Sequence, residues 1–268
     1  MSTTSITAGL AHELSERKEF AIELAKAAGS MALDFARKAE LDVQIKDSGE
    51  PVTEADKSIE SLVRTEILRS FPQDSILGEE QGGALGSLTW VIDPIDGTNN
   101  YRRGLGYWCI SLALMVDEEP CLGVVLDAKL SELFVAVRGQ GAYCNGEKLA
   151  VSRQKGVRGS FVGLGLTKRA EPLATLSAIS DLLAQGASLR MFGAAALSLA
   201  HVSAGRMDGF FEARVHIWDC AAGCVLVKEA GGWCDVLYDT TKPLAQFPIA
   251  AGTSALRGRL VNVMDLRC

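Results

Sequence analysis

Apolar residues recur at helical intervals near the start of the chain. Phe20, Leu24, Ala28, Met31 and Phe35 share one face of a helix that the spacing predicts from about Leu10 to Ala39. Leu41, Val43 and Ile45 then alternate, as in a half-buried strand, and Asp47 to Pro51 is rich in turn residues. Thr53-Glu54-Ala55-Asp56 fits a capping box, with Thr53 as N-cap and Asp56 at the third helical position. Ile59, Leu62, Val63 and Ile67 carry that helix on until Phe71-Pro72. Ser75 to Gly78 predicts a short strand ending in Glu79-Glu80, and Trp90 to Ile92 a short buried strand. Pro94, with no N–H for a ladder, should stop the latter. Gly97-Thr98 should then open a helix, with Thr98 as its cap. Trp108–Val116, Cys121–Leu126 and Leu133–Val137 read as strands of an antiparallel meander, and Asn145-Gly146 is a strong turn signal.

Past Ala150 the rhythm changes. Strands are expected at Phe161–Leu166, Leu189–Phe192, Gly209–Glu212, Trp233–Leu237 and Phe247–Ala251. Helices are expected at Glu171–Ala184, Ala194–Ala204, Asp219–Ala230 and Ala255–Met264. The pattern divides the chain into an α+β half over residues 1–150 and an alternating α/β half over residues 151–268. There is no internal repeat, low-complexity tract or long linker. The halves are expected to share an interface, and clefts between halves suit small ligands.

Composition narrows the class. At 268 residues, 48% hydrophobic, one or two globular domains are expected. A net charge of −6 argues against a large nucleic-acid face, so no direct nucleic-acid partner is expected. No apolar run approaches the ~18–20 residues that span a bilayer, and no secretory pattern opens the chain. Seven cysteines with no C-x-x-C pair read as reduced core thiols. Cys220 and Cys224, four apart, fall on one helix face without the histidines of a zinc site. A cytoplasmic protein with no membrane partner is the expectation.

Several chemistries drop out. There is no Walker pattern, since Gly141 to Gly146 is followed by Glu147 where a lysine is needed. No cysteine has an arginine six positions on, no D-x-D, G-x-G-x-x-G or G-x-S-x-G motif stands out, and the only histidines are His12, His201 and His216. Carboxylates remain. Glu79, Asp93, Asp96 and Asp219 each fall at a predicted strand end or helix start. Such hard oxygen donors, without histidine or thiolate, favour Mg²⁺ or Mn²⁺ over Zn²⁺. Asp93-Pro94-Ile95-Asp96 also leads into a helix N-terminus, which attracts anions; a metal-bound phosphate wants both features. Plainer readings stand beside each: a solvated turn at Asp93–Gly97, a loop start at Glu79-Glu80, and simple helix caps at Asp56 and Asp219.

Five stretches taken together change that balance. Val52-Thr53-Glu54-Ala55-Asp56, Gly78-Glu79-Glu80, Asp93-Pro94-Ile95-Asp96-Gly97-Thr98, Trp218-Asp219-Cys220-Ala221-Ala222-Gly223 and Glu229-Ala230-Gly231-Gly232 resemble, in order and spacing, the inositol monophosphatase family of magnesium-dependent, lithium-sensitive phosphatases. The resemblance runs from about Phe20 to Arg259. It implies a layered α-β-α-β-α fold of the sugar-phosphatase type and a homodimer. It implies that Glu79, Asp93 and the Ile95 carbonyl hold one Mg²⁺, and that Asp93, Asp96 and Asp219 hold a second. A weaker third ion is implied near Glu79, with Glu80 reaching it through water. Asp56 and Thr98 are implied to orient and deprotonate the attacking water, and the Gly97 and Thr98 N–H groups to hold the phosphate.

The implied substrate is a small phosphate ester, foremost inositol 1-phosphate or a similar polyol phosphate. Glu212 matches the family acid that hydrogen-bonds a substrate hydroxyl. Ala194-Ala195 stands where members often carry a hydroxyl after the glycine, so one polyol contact is missing from the pattern. Histidinol phosphate and fructose 1,6-bisphosphate are the alternative substrates. The non-enzymatic alternative is a scaffold for transcription machinery, as in a bacterial branch of the family.

Overall fold

The computed structural model describes residues 8–37, 43–45, 51–166, 172–236 and 238–265. Helix α1 (Ala8–Ala36) is followed by a small antiparallel pair, β1 (Val43–Ile45) and β2 (Pro51–Thr53), and then by α2 (Glu54–Ser70). Strand β1 is more exposed than its alternation suggests; Gln44 and Ile45 face solvent. The capping box forms as expected. The Asp56 N–H donates to Thr53 Oγ1 at 3.4 Å, and Asp56 Oδ2 accepts from the Thr53 N–H at 2.7 Å.

An eight-stranded sheet comes next. It is built from β3 (Ser75–Gly78), β4 (Gly82–Gly83), β5 (Leu88–Asp96), β6 (Cys109–Val116), β7 (Glu119–Asp127), β8 (Glu132–Val137), β9 (Gly141–Cys144) and β10 (Glu147–Lys148). Its spatial order is β10-β9-β8-β7-β6-β5-β3-β4, antiparallel except where β3 runs parallel to β5. The meander is thus as the sequence predicts. Asn145 and Gly146 turn between β9 and β10 with φ of 49° and 86°, the two positive values that a type I′ hairpin needs.

Strand β5 corrects one expectation. Pro94 does not stop it; the strand runs on to Asp96. The β3 pairing ends at Gly78↔Ile92, and the register with β6 shifts between Asp93 and Asp96. Pro94 therefore sits in an irregular stretch where no ladder N–H is demanded of it. Helix α3 (Thr98–Arg102) corrects another. Its N-cap is Gly97, at φ 91°, and Thr98 is its first helical residue.

The later half contributes β11 (Phe161–Gly165), α4 (Pro172–Ala184), β12 (Ser188–Arg190), α5 (Ala195–Ser203), β13 (Gly209–Val215), α6 (Ala221–Glu229), β14 (Trp233–Val236), β15 (Phe247–Gly252) and α7 (Arg257–Asp265), with a short 3-10 turn at Ser254–Leu256. Its sheet is mixed, in the order β12-β11-β13-β15-β14. Strand β12 is shorter and earlier than predicted. Helix α6 begins after Asp219, not at it; Cys220 is its N-cap, and its thiol meets that of Cys224 one turn on, as the spacing of four predicts. The predictions at Lys38–Leu41, Asp47–Glu50, Glu171 and Leu237 lie outside the described residues.

The layers follow from which faces are apolar. Helices α1 and α2 cover one face of the large sheet through Leu24, Ala28, Ile59, Val63, Trp90, Ile110 and Leu122. Helices α5 and α6 fill the space between the two sheets through Leu197, Leu199, Val225 and Leu226, against Val125, Phe134, Phe210 and Ala251. Leu182 of α4 and Leu260 of α7 cover the far face of the second sheet. The order is α-β-α-β-α. Strands β6 and β7 are apolar on both faces because helices cover both. No described helix is long and apolar enough to cross a membrane. Cys109, Cys121, Cys220, Cys224 and Cys234 are buried free thiols.

Candidate active site

The end of β5 is where elements distant in the sequence converge. Asp93 and Asp96 are buried there, at 1% and 6% exposure. Asp93 Oδ1 accepts from the Ile95 N–H at 3.0 Å, which fixes the kink after the proline. Its carboxyl also meets that of Glu79, which follows β3. The Glu79 N–H donates to the Ile92 carbonyl at 3.1 Å, so parallel pairing of β3 and β5 delivers both acids to one place. Asp219, in the turn before α6, accepts the His216 N–H on Oδ2 at 2.7 Å. It does not cap α6; it points back at its own turn.

Electrostatics bind these groups into one cluster. Burial, and then the charges of Glu79, Asp96 and Asp219, hold Asp93 well above the usual carboxylate range. Burial and Glu79 do the same to Asp219, with Glu212 adding to the push. Burial raises Asp96 to about 6, against the downward pull of the Leu197 and Ala195 N–H groups. The cause is the same throughout: desolvation and like charge both oppose ionisation. No lysine or arginine is among the strongest influences on these three acids. An all-oxygen cluster of this kind suits a hard divalent cation as counter-charge. Among the described residues, no three His, Cys, Asp or Glu side chains already stand at ligand spacing. The reason is visible at Asp96, whose two oxygens face α5, and at Asp219, which faces His216.

Asp56 has two edges. Oδ2 accepts from Thr53 N and Thr53 Oγ1, while Oδ1 accepts from Thr98 Oγ1 at 3.2 Å. The cap reading and the site reading of Asp56 are thus both present in one carboxylate. The Thr98 hydroxyl also lies 3.1 Å from the Ile95 carbonyl. Gly97 is required at the turn. Besides its positive φ, a Cβ there would come within 3.0 Å of Ala194 Cβ and 3.1 Å of the Tyr107 carbonyl. The same contact brings Ala194 to the edge of the turn. Glu212, on β13, packs over Gly165, where a Cβ would collide with the carboxyl. Two surface hollows lie beside α1, one of about 430 Å³ against the β8–β9 hairpin and one of about 500 Å³ against the β7–β8 turn, and none of these residues lines them.

The family model for the inositol monophosphatase family matches residues 13–262. The chain belongs to the inositol monophosphatase family. It is 35% identical over 245 residues to the inositol-1-monophosphatase of Rhizobium meliloti, covering 90% of this chain and 92% of that one. It is 40% identical over 220 residues to the Nus factor SuhB of Xylella fastidiosa, covering 80% of each. Among solved structures, the extragenic suppressor protein suhB of Bartonella henselae superposes with a TM-score of 0.84 at 30% identity, covering 91% of this chain and 96% of that one. The Thermotoga maritima IMPase gives a TM-score of 0.82 at 32% identity, covering 93% and 97%.

Within this member of the family, Asp93, Asp96, Glu79 and Asp219 are brought into mutual electrostatic reach, and Asp56 meets Thr98. Several contacts that build this place are not announced by the motifs. Asp96 caps α5 from the other half of the chain, accepting from Ala195 N at 3.0 Å and Leu197 N at 3.1 Å. The α5 N-cap residue, Ala194, has no side-chain cap of its own, which was the available signal. Asn100 Nδ2 donates to the carbonyls of Tyr107 and Phe192, both at 2.7 Å, and so ties α3 to the segment before α5. The Cys109 thiol lies 3.5 Å from Asp96 Oδ2.

Proposed function

We propose that the protein is a Mg²⁺-dependent phosphomonoesterase that hydrolyses inositol 1-phosphate or a similar small polyol phosphate. One observation carries the reading: four carboxyls from three places in the chain, Glu79 after β3, Asp93 and Asp96 on β5 and Asp219 before α6, share one acidic cluster beside the Asp56–Thr98 pair, in a chain of this family. Glu79, Asp93 and the Ile95 carbonyl would hold one ion. Asp93, Asp96 and Asp219 would hold a second, and Glu80 would serve a weaker third through water. Mn²⁺ would suit the same donors. When bound, the metal supplies the positive charge that stabilises phosphoryl oxygens and makes a water more acidic.

The protein's own groups do the rest. The Gly97 and Thr98 N–H groups receive phosphate oxygens at the turn. Asp56, held on Oδ2 by Thr53, uses Oδ1 to orient the Thr98 hydroxyl and to take a proton from the attacking water. Glu212 selects a hydroxylated leaving group, with Ala194 and Ala195 forming an apolar edge that makes no hydroxyl contact. We place the protein in the cytoplasm as a homodimer, with the division near residue 150 as its two working halves.

The identity to Nus factor SuhB of Xylella fastidiosa favours a second reading, a partner-binding role in transcription machinery. A phosphate-release assay separates the two. Inositol 1-phosphate, histidinol phosphate and fructose 1,6-bisphosphate are compared by kcat/KM with and without Mg²⁺. Mg²⁺-dependent release with the inositol ester preferred supports the reading. No release from any ester leaves the partner-binding role standing.

A further inference from the structure

Helix α2 carries more of the site than Asp56. One turn on, Glu60 is fully buried, at 0% exposure. A buried carboxylate is costly unless it is paired and hydrogen-bonded, and Glu60 is both. Arg64, a further turn along, donates from Nε to Glu60 Oε1 at 2.8 Å. Glu60 Oε2 accepts the Glu80 N–H at 2.7 Å, and Oε1 accepts the Gln81 N–H at 3.1 Å. Arg64 Nη2 donates to the Gly82 carbonyl. Asp56, Glu60 and Arg64 thus form one i, i+4, i+8 stripe. Its first member reaches Thr98, and its other two grip the segment that carries Glu79 and Glu80.

Gly78 packs directly against this ion pair. A Cβ at that position would lie 2.3 Å from Glu60 Oε1 and 3.0 Å from Arg64 Nη2. The strand end that delivers Glu79 is therefore shaped around this ion pair, and no other residue type fits there without moving it.

We propose that Glu60, backed by Arg64, is a positioning residue for the acidic site: it clamps the 79–82 segment so that Glu79 stands opposite Asp93 for cation binding. The proposal rests on the metal-dependent reading above. Glu60 does not touch substrate or metal; it acts through Glu79. Ligands held by a fixed neighbour bind a metal more tightly than ligands that must first be ordered.

The test is Mg²⁺ binding followed calorimetrically on the full-length protein without substrate, together with amide hydrogen exchange over residues 79–82. Wild type is compared with Glu60→Gln and with Gly78→Ala, which displaces the same carboxylate from the strand side. Each variant is expected to weaken Mg²⁺ by about tenfold or more, the usual scale for loss of a ligand's supporting partner. Faster exchange at Glu80 and Gln81 is expected, and raised Mg²⁺ should restore most of kcat. If wild type binds Mg²⁺ and either folded variant binds it with unchanged affinity, even with a lower Tm, Glu60 is merely structural and the proposal is overturned. If wild type gives no Mg²⁺ binding at all, the metal-dependent reading fails, and the clamp's purpose falls with it.

Discussion

Asp93 stands among like charges, and its substitution separates function from stability. In Mg²⁺-free buffer, Asp93→Asn removes one charge from a buried repulsive cluster, so Tm is expected to rise, on the order of 2–4 °C for each kcal/mol relieved. Turnover should fall by roughly 10²–10³-fold, the scale seen when a group that stabilises the transition state is lost. Thermal melts and phosphate release on the same preparation check both. His201 gives a pH signature of a different origin. Its ring packs edge-on to Tyr107, its Nε2 is buried without a partner, and burial lowers its pKa to about 4. The unfolded chain takes up this proton near pH 6.5 and the folded chain only near 4, so its contribution is present above 6.5 and is lost on acidification towards 4. Up to ~3 kcal/mol follows from that span, less whatever solvent screening removes. His201→Leu should flatten this part of the stability-versus-pH curve, read by urea unfolding at pH 7 and pH 4.5.

Elements position these residues through close backbone approaches. At Gly123 on β7, a Cβ would lie 2.4 Å from the Ala222 carbonyl in the first turn of α6. The two elements can touch only because that side chain is absent. Gly123→Ala is therefore expected to push α6 off the sheet and destabilise the fold by roughly 1–3 kcal/mol, as overpacking does. Because Asp219 immediately precedes α6, activity should fall further than the loss of folded protein accounts for. Urea unfolding beside kcat at saturating Mg²⁺ distinguishes the two effects. The small residues Cys220-Ala221-Ala222-Gly223 have a matching reason, since a Cβ at Gly223 would meet Leu199 of α5 at 2.4 Å.

Across the whole molecule, Asp96 joins the large sheet to α5, the helix packed between the sheets. It belongs to the large sheet yet supplies the helix cap that α5 lacks, so the acidic site and the packing between sheets share one side chain. Asp96→Ala should lower stability by about 1–2 kcal/mol through the lost cap and abolish activity as well. Asp93→Asn should lower activity while raising Tm. Melts of both variants without Mg²⁺ provide the contrast; equal and opposite behaviour to that stated would remove the bridging role from Asp96.

The sequence alone determined whatever depends on neighbours along the chain. The Thr53–Asp56 cap, the meander after Trp108 and the Asn145-Gly146 hairpin were legible because periodicity, capping and turn chemistry act over a few residues. The candidate acids were legible through the five spaced stretches and the family they resemble. Tertiary structure decided what depends on distant partners. Pro94 continues β5 because β3 ends beside it; Thr98 begins α3 instead of capping it because Gly97 alone can take the positive φ there; Asp219 turns back to His216 instead of opening α6. Nothing local sets Glu60 apart from the other acids of α2, since the amides it grips are twenty residues on. Asp96 read as a ligand only, because the helix end it caps comes a hundred residues later. A hydrogen bond between groups so far apart leaves no local pattern; it exists only once the layers have packed.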